Sequence, residues 1–527
     1  MNCSPPAVTR GSWRTAVVRA CVCLVSLCWL LPAVAIGSAQ DETVDDFKRL
    51  FKKFEDTATR VEMIHALEGI EDVGIVDALT PVLADKDPIV VRAAIELLSG
   101  FETAAAQGAV GLRFAKEKKR PIRLGLLRAV TAGGYELDED SSEELEKLAK
   151  DRDWELRLRA NEYRARTLPE DRLAELLPVL EDSESAVRAG LIDALSARRF
   201  AGLLGPLQGA LEDNVWQVRA SAIAGCTLVR DKSSIPLLIQ RMEQEEGRLV
   251  ADCGVALESL TGRRFGQDLE GWKKFWARFA DVFEIPTEEE LARREEVASE
   301  SAKRYAPGAE FFAIDTPSRS IRFVVDVSGS MENLIVNREA FSGKEFENWA
   351  RLEVVKEELV RTIGALDSKV RFDVVAFATK VDPWRGKLVP ANALQKAAAQ
   401  DWVRKLTPLG RAGDADLVAA GLSRADPSKG KTNTFGALMY SIGARTEKGK
   451  PTDRDDYEAA VDTVVFLSDG RPTVGEFVDP DDIYDGFLEA NELRRVAVHI
   501  IAIGQFQKRW MERLAASSGG VFVDLGW

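Results

Sequence analysis

Residues 321–331 read Ile321-Arg-Phe-Val-Val-Asp326-Val-Ser328-Gly-Ser330-Met331. The β-branched and aromatic run Ile321–Val325 has the character of a buried strand. It empties into Asp326-Val-Ser328-Gly-Ser330, which gathers one carboxylate and two hydroxyls on a tight loop at a strand's carboxyl end. In open α/β sheets ligands bind at that end. Oxygen donors with little charge suit a hard cation such as Mg²⁺.

The pattern is short, and two downstream stretches give it weight. Gly430-Lys-Thr432-Asn433-Thr434 precedes an apolar helix start, and the strand Thr463–Leu467 runs into Ser468-Asp469-Gly470. Between and beyond them strand and helix patterns alternate. Strands are predicted at Ile321–Val325, Val370–Ala378, Thr463–Leu467, Val496–Ile503 and Val521–Leu525, with a short edge strand at Lys387–Val389. Helices are predicted at Trp349–Leu366, Ala391–Leu406, Phe435–Ile442, Pro480–Arg494 and Lys508–Ser517. Such alternation implies a mostly parallel sheet covered on both faces.

This ordered set resembles the metal-ion-dependent adhesion site (MIDAS) of von Willebrand factor A domains, over about residues 318–527. The resemblance implies a doubly wound, Rossmann-like α/β fold. It implies that Ser328, Ser330 and Thr432 contact Mg²⁺ or Mn²⁺ directly, while Asp326 and Asp469 hold it through waters, or directly in an alternative state. Neutral hydroxyls next to the ion leave it net positive, so a partner's carboxylate could complete its shell. Gly329 and Gly470 are expected to let their loops turn sharply. The stretches Glu332–Glu347 and Gly413–Gly430 look like insertions relative to the family.

Upstream the chain changes character. After a charged helix predicted at Glu42–Asp56, an apolar residue followed by an anchor position recurs at Glu62, Arg92, Arg123, Arg157, Arg188, Arg219 and Val250. A second helix falls between anchors, as at Leu173–Leu180 and Ile235–Met242, and turns such as Asp85-Lys-Asp-Pro88 separate the units. A period just over ~30 residues with two helices per unit means an α-solenoid. It resembles the short HEAT-like repeats of phycobilisome-lyase-like proteins. The anchor arginines are expected to bond carboxylates or carbonyls between repeats. Trp272, Phe275, Trp276 and Phe279 share one helix face and are expected to cap the last repeat. A charged linker helix is predicted at Thr287–Lys303.

The resulting order is a signal segment at 1–39, an all-α solenoid at 42–265, a cap and linker at 266–317, and the α/β domain at 318–527. The first segment carries Arg10, Arg14 and Arg19, then an uncharged run from Ala20 to Gln40 with small residues at its end. That is the layout of a secretory signal cleaved after Ala35 or Ala39; an uncleaved anchor at 20–40 is the alternative. No second apolar span exists, so no transmembrane segment is expected in the mature chain. Four of the six cysteines fall in this segment, which leaves Cys226 and Cys253, read as two buried thiols that could also pair.

The formal charge is −14; without the leading segment 68 basic residues face 85 acidic ones. An acidic body disfavours nucleic acid and anionic lipid. With only His65 and His499 available, a Ser-His-Asp triad lacks a plausible base. The expectation is an exported, secreted or periplasmic, non-enzymatic protein that captures an acidic group of a protein or surface ligand, with the solenoid as a second contact surface. The alternatives are a metal-dependent hydrolase and a scaffold subunit for a partner ATPase.

Overall fold

The structure, a computed structural model, describes residues 34–293, 318–336, 338, 346–410, 427–453, 456–469, 471–504 and 508–525. Most of the leading segment, Gly470, much of the two expected insertions, and the linker helix beyond residue 293 lie outside the described residues. The chain forms two compact units, Met1–Ser141 and Ser142–Trp527.

The first unit is helical. Its leading helix runs Val34–Leu50 and closes with a 3₁₀ turn at Phe51–Lys53, so it starts and stops earlier than the charge pattern suggested. Helices Thr57–His65, Pro88–Ser99 and Arg120–Gly133 are the anchor helices. The first anchor is Arg60, not Glu62. Arg60 is buried and reaches Asp85, 25 residues on, with both guanidinium arms. Glu62 has the right spacing but the wrong charge for that contact.

In the second unit the anchors Arg157, Arg188 and Arg219 stand on helices Trp154–Thr167, Ser185–Ala197 and Trp216–Val229. Arg157 forks onto Asp182 at 2.7 and 2.7 Å, and Arg188 onto Asp213 at 2.8 and 2.9 Å. Each also donates to a carbonyl just ahead of its own helix, Asp151 and Asp182 respectively, at 2.7 Å. Burial pushes the Asp182 carboxyl up, but Arg157 and the Glu184 N–H outweigh it and hold it below its ordinary value. One guanidinium thus joins its own turn to the next, a geometry only arginine's planar fork allows.

The segment predicted as helix Leu173–Leu180 is a 3₁₀ run, Glu170–Glu181, with Pro178 inside it. Proline has no N–H for an α-helical bond and crowds the preceding turn. Cys226 and Cys253 are free and buried. On helix Leu269–Phe279, Trp272 and Phe275 bury into the core of these repeats and Trp276 packs against it. Phe279 lies at the margin, 38% exposed with its ring against Phe275, so the buried part of the cap is narrower than the stripe suggested.

The sheet has seven strands: β1 (Ser320–Asp326), β2 (Arg371–Phe377), β3 (Val381–Pro383), β4 (Val389–Pro390), β5 (Thr463–Ser468), β6 (Ala497–Ala502) and β7 (Phe522–Asp524). Its order is β3-β2-β1-β5-β6-β7, with β4 also on β2. β1 pairs in parallel with β2 on one side and β5 on the other, and β3 and β4 add antiparallel to β2. Every residue of β5 and β6 is buried, as expected for parallel strands covered on both faces. The order reverses direction at β1, so the carboxyl ends of β1 and β5 flank the switch point where such sheets leave a crevice.

The opposite, amino-terminal edge of the sheet is covered by the repeats of the same unit. Tyr457, ahead of β5, is buried among Trp154, Leu158 and Val187, its ring 5.1 Å from that of Trp154. Its hydroxyl donates to Glu184 Oε2 at 3.0 Å. Arg248 donates to the carbonyls of Asp462 and Arg495, Arg495 pairs with Asp193, and Arg159 forks onto Glu492 at 2.8 and 2.6 Å. All these sheet-domain residues precede β5 or β6. The repeats therefore hold the pole away from the Asp326 and Asp469 loops. Among the described residues no helix is long and apolar enough to cross a membrane.

Candidate metal centre

Asp326 is the last residue of β1 and fully buried. Its Oδ1 accepts the Ser328 N–H at 2.8 Å and its Oδ2 accepts the Ser468 hydroxyl at 2.7 Å. Burial, and then the charge of Asp469, pushes its carboxyl up to about 7, against the bonds from Ser328 and Ser468. Ser330 Oγ donates to Asp469 Oδ1 at 2.8 Å and lies 3.2 Å from Ser328 Oγ. Asp469 follows β5 directly, with no exposed side-chain surface. Asp326, Ser328, Ser330 and Asp469 thus form one bonded cluster across the switch point.

Thr432 reaches the same end of the sheet by another route. It is buried; its N–H donates to Thr473 Oγ1 at 2.8 Å, and its carbonyl accepts from Thr473 N–H at 3.0 Å. Asn433 N–H donates to Ala378, just past β2, and the Asn433 side chain caps helix Thr434–Ser441 through Gly436 N–H. Among the described residues no hydrogen bond joins Thr432 to the other four. The loops meet over the turn at Leu409–Gly410. A Cβ on Gly329 would stand 2.4 Å from the Gly410 carbonyl oxygen, and one on Gly430 2.0 Å from that of Leu409. The glycine at 329 serves close approach of backbones; its φ is not in the left-handed region, so the expected sharp turn is not its reason.

The donor set fits a hard cation on chemical grounds. Among the described residues there is no group of three or more His, Cys, Asp or Glu that could bind a metal, so hydroxyls would have to serve. Two ligands at about 2.1 Å and at right angles lie about 3 Å apart, close to the 3.2 Å between Ser328 Oγ and Ser330 Oγ. Ser330 donates its hydroxyl hydrogen to Asp469, so Ser328 is the donor between the two hydroxyls and Ser330 keeps one lone pair for an ion.

Two partners were missed in the sequence. Ser468 supplies a hydroxyl to Asp326 from the end of β5. Arg351, the first residue of helix Arg351–Ala365, pairs with Asp469 Oδ2; its position against the helix dipole was the available signal. No histidine base stands out. His499 lies mid-strand in β6, buried, with Nδ1 accepting the Val521 N–H at 3.0 Å, and His65 pairs with Glu68 on an exposed helix end.

A family model for the von Willebrand factor type A domain matches residues 320–525, and one for HEAT repeats matches 173–258. Over 178 residues the chain is 29% identical to inter-alpha-trypsin inhibitor heavy chain H1 of Mesocricetus auratus, covering 32% of this chain and 15% of that protein. Over 213 residues it is 25% identical to heavy chain H4 of Homo sapiens, covering 40% and 18%. The chain thus spans less than a fifth of the length of these relatives. A solved structure of von Willebrand factor type A from Catenulispora acidiphila is similar at 16% identity and a TM-score of 0.26, over 40% of this chain and 39% of that one. The protein carries HEAT repeats over 173–258 and a von Willebrand factor type A domain over 320–525.

Proposed function

We propose that the protein is an exported binding protein whose type A domain captures a carboxylate of a partner protein or surface through a divalent cation, Mg²⁺ or Mn²⁺. Ser328, Ser330 and Thr432 would touch the ion, and Asp326 and Asp469 would hold its waters. The ion supplies positive charge that an acidic ligand group can meet. The observation that supports this most is the bonded cluster Asp326–Ser328–Ser330–Asp469 at the sheet's switch point. Each residue has a task there. Asp469 accepts the hydrogen bond of the Ser330 hydroxyl and so turns a lone pair of that oxygen outward. Ser468 and the Ser328 N–H fix the Asp326 carboxylate, and the Leu409–Gly410 turn holds the two loops together. The inter-alpha-trypsin inhibitor heavy chains are in keeping with an interaction module rather than an enzyme.

The repeats clamp the far pole of the sheet and leave the metal loops free to meet a partner. Their remaining faces offer a second contact surface. Secretion, or release into a periplasm-like space, rests on the arginine-led, uncharged leading segment. The test is calorimetric titration of the whole chain with MgCl₂ and MnCl₂, with pull-down from the native envelope in Mg²⁺ and in EDTA. Binding of either ion together with EDTA-sensitive capture is expected; no heat at millimolar metal refutes the reading.

A further inference from the structure

We propose that Arg351 is a resident countercharge of the metal site. It holds Asp469 in the metal-free protein, lowers the site's affinity for Mg²⁺, and leaves the loaded site net positive toward an acidic ligand. The inference rests on the metal reading of the Asp326 and Asp469 loops.

Arg351 opens helix Arg351–Ala365, and its N-cap, Ala350, makes no side-chain cap bond. A cation at that place opposes the helix dipole, which favours Asp or Glu in the first turn. Chains that break such a local rule tend to do so at functional sites. The backbone is pinned there, with the Arg351 N–H donating to the Asn333 carbonyl at 2.9 Å. The side chain is 14% exposed and its Nη1 pairs with Asp469 Oδ2. Ser330 already occupies Asp469 Oδ1, so without an ion each oxygen of this buried carboxylate has a partner. The Nε of Arg351 is buried and has no partner among the described residues. The guanidinium is therefore not held by a saturated structural network; Asp469 is its main anchor.

Asp326 and Asp469 bring two negative charges, and the guanidinium, which does not deprotonate in proteins, brings one positive. Counted over the whole site, a dication and the two water-held carboxylates sum to zero, so only the ion's local charge would draw an acidic ligand. With Arg351 beside it the loaded site keeps one net positive charge. The same guanidinium repels the incoming dication in a region shielded from water, where such a term is large. Metal affinity is reduced, and the attraction for a carboxylate ligand is kept.

The test uses the whole chain, titrated with MgCl₂ alone by calorimetry and melted in EDTA and in Mg²⁺. The wild type is compared with Arg351→Met, which keeps the stem and removes the charge, and Arg351→Lys, which keeps the charge. Arg351→Met should bind Mg²⁺ about tenfold or more tightly, as expected for removing one nearby charge from a poorly screened site. Its melting shift between EDTA and Mg²⁺ should exceed that of the wild type, and Arg351→Lys should stay near the wild type. Loss of a merely structural contact would weaken metal binding instead. Equal or weaker binding by Arg351→Met overturns the proposal, as does an Arg351→Lys chain that behaves like Arg351→Met. An Arg351→Met chain that folds only with Mg²⁺ supports it, because the ion then replaces the missing charge. One that stays unfolded in Mg²⁺ overturns it. A wild type that binds no Mg²⁺ defeats the metal reading itself, whereas a wild type that binds, with no gain in Arg351→Met, defeats only the role of Arg351.

Discussion

Asp326→Asn should stabilise the protein when metal is absent and abolish its response when metal is present. The folded carboxyl titrates at about 7 against an ordinary 3.8. Between those values the folded chain holds a proton that the unfolded chain has released, so stability falls as pH rises from about 4 to about 7. At ~1.4 kcal/mol for each pH unit, the metal-free site costs roughly 4 kcal/mol above pH 8. Asparagine removes that charge and keeps the bonds, because its carbonyl can accept from Ser328 N–H and its amide can donate to Ser468 Oγ. Taking about 2–4 °C per kcal/mol for a domain of this size, a rise on the order of 10 °C is expected in EDTA at pH 8. That gain should shrink steadily toward pH 4. In millimolar Mg²⁺ the wild type should melt higher than in EDTA while the variant stays where it was. Differential scanning calorimetry from pH 4 to 8, with and without Mg²⁺, measures all of this. An EDTA melting point for Asp326→Asn at or below the wild type's at pH 8 refutes the account, as does a difference independent of pH.

His499 predicts the opposite limb. Burial, and then the charge of Arg248, lowers its titration from 6.5 to about 4, so the folded chain resists a proton that the unfolded chain takes. Stability should be lost as pH falls from about 6.5 to 4, by roughly 3 kcal/mol, and His499→Gln should flatten that loss in an acid titration followed by circular dichroism. Leu98 and Leu195 are fully buried on repeat helices, so Leu→Ala at either should cost about 2–5 kcal/mol in urea unfolding; silence at both would mean the helix faces are misassigned. Tyr457→Ala removes a buried ring and its bonds at the junction of repeats and sheet, a loss of about 3–5 kcal/mol. Calorimetry should then split one transition into two while Mg²⁺ affinity moves less than about twofold, because distant sites couple weakly; one unchanged transition would contradict the clamp.

Much of the architecture was legible because it is written in short-range periodicity. The recurring apolar residue and anchor mark a repeat of paired helices, and the anchor arginines bond across turns because the next acidic turn is one period on. In the sheet domain, the run Ile321–Val325 and its fellows announced buried parallel strands, and the strand-to-loop junctions placed Asp326, Ser328, Ser330 and Asp469 at one end of the sheet. What stayed hidden depends on residues distant in sequence. Arg322 sits inside a β-branched and aromatic run read as a buried strand, and its guanidinium is itself buried and donates to the carbonyls of Tyr440 and Ser441 at a helix end. Glu62 had the spacing of an anchor, but only Arg60 carries a charge that Asp85 can meet. Tyr457 looks like any loop tyrosine until the repeats close over it, and Arg351 looks like a surface helix residue until β5 brings Asp469 beside it. Periodicity reports which face of an element avoids water. Which charge meets which is decided when the chain closes its loops, from the 25 residues between Arg60 and Asp85 to the 118 between Arg351 and Asp469, and periodicity alone does not record that pairing.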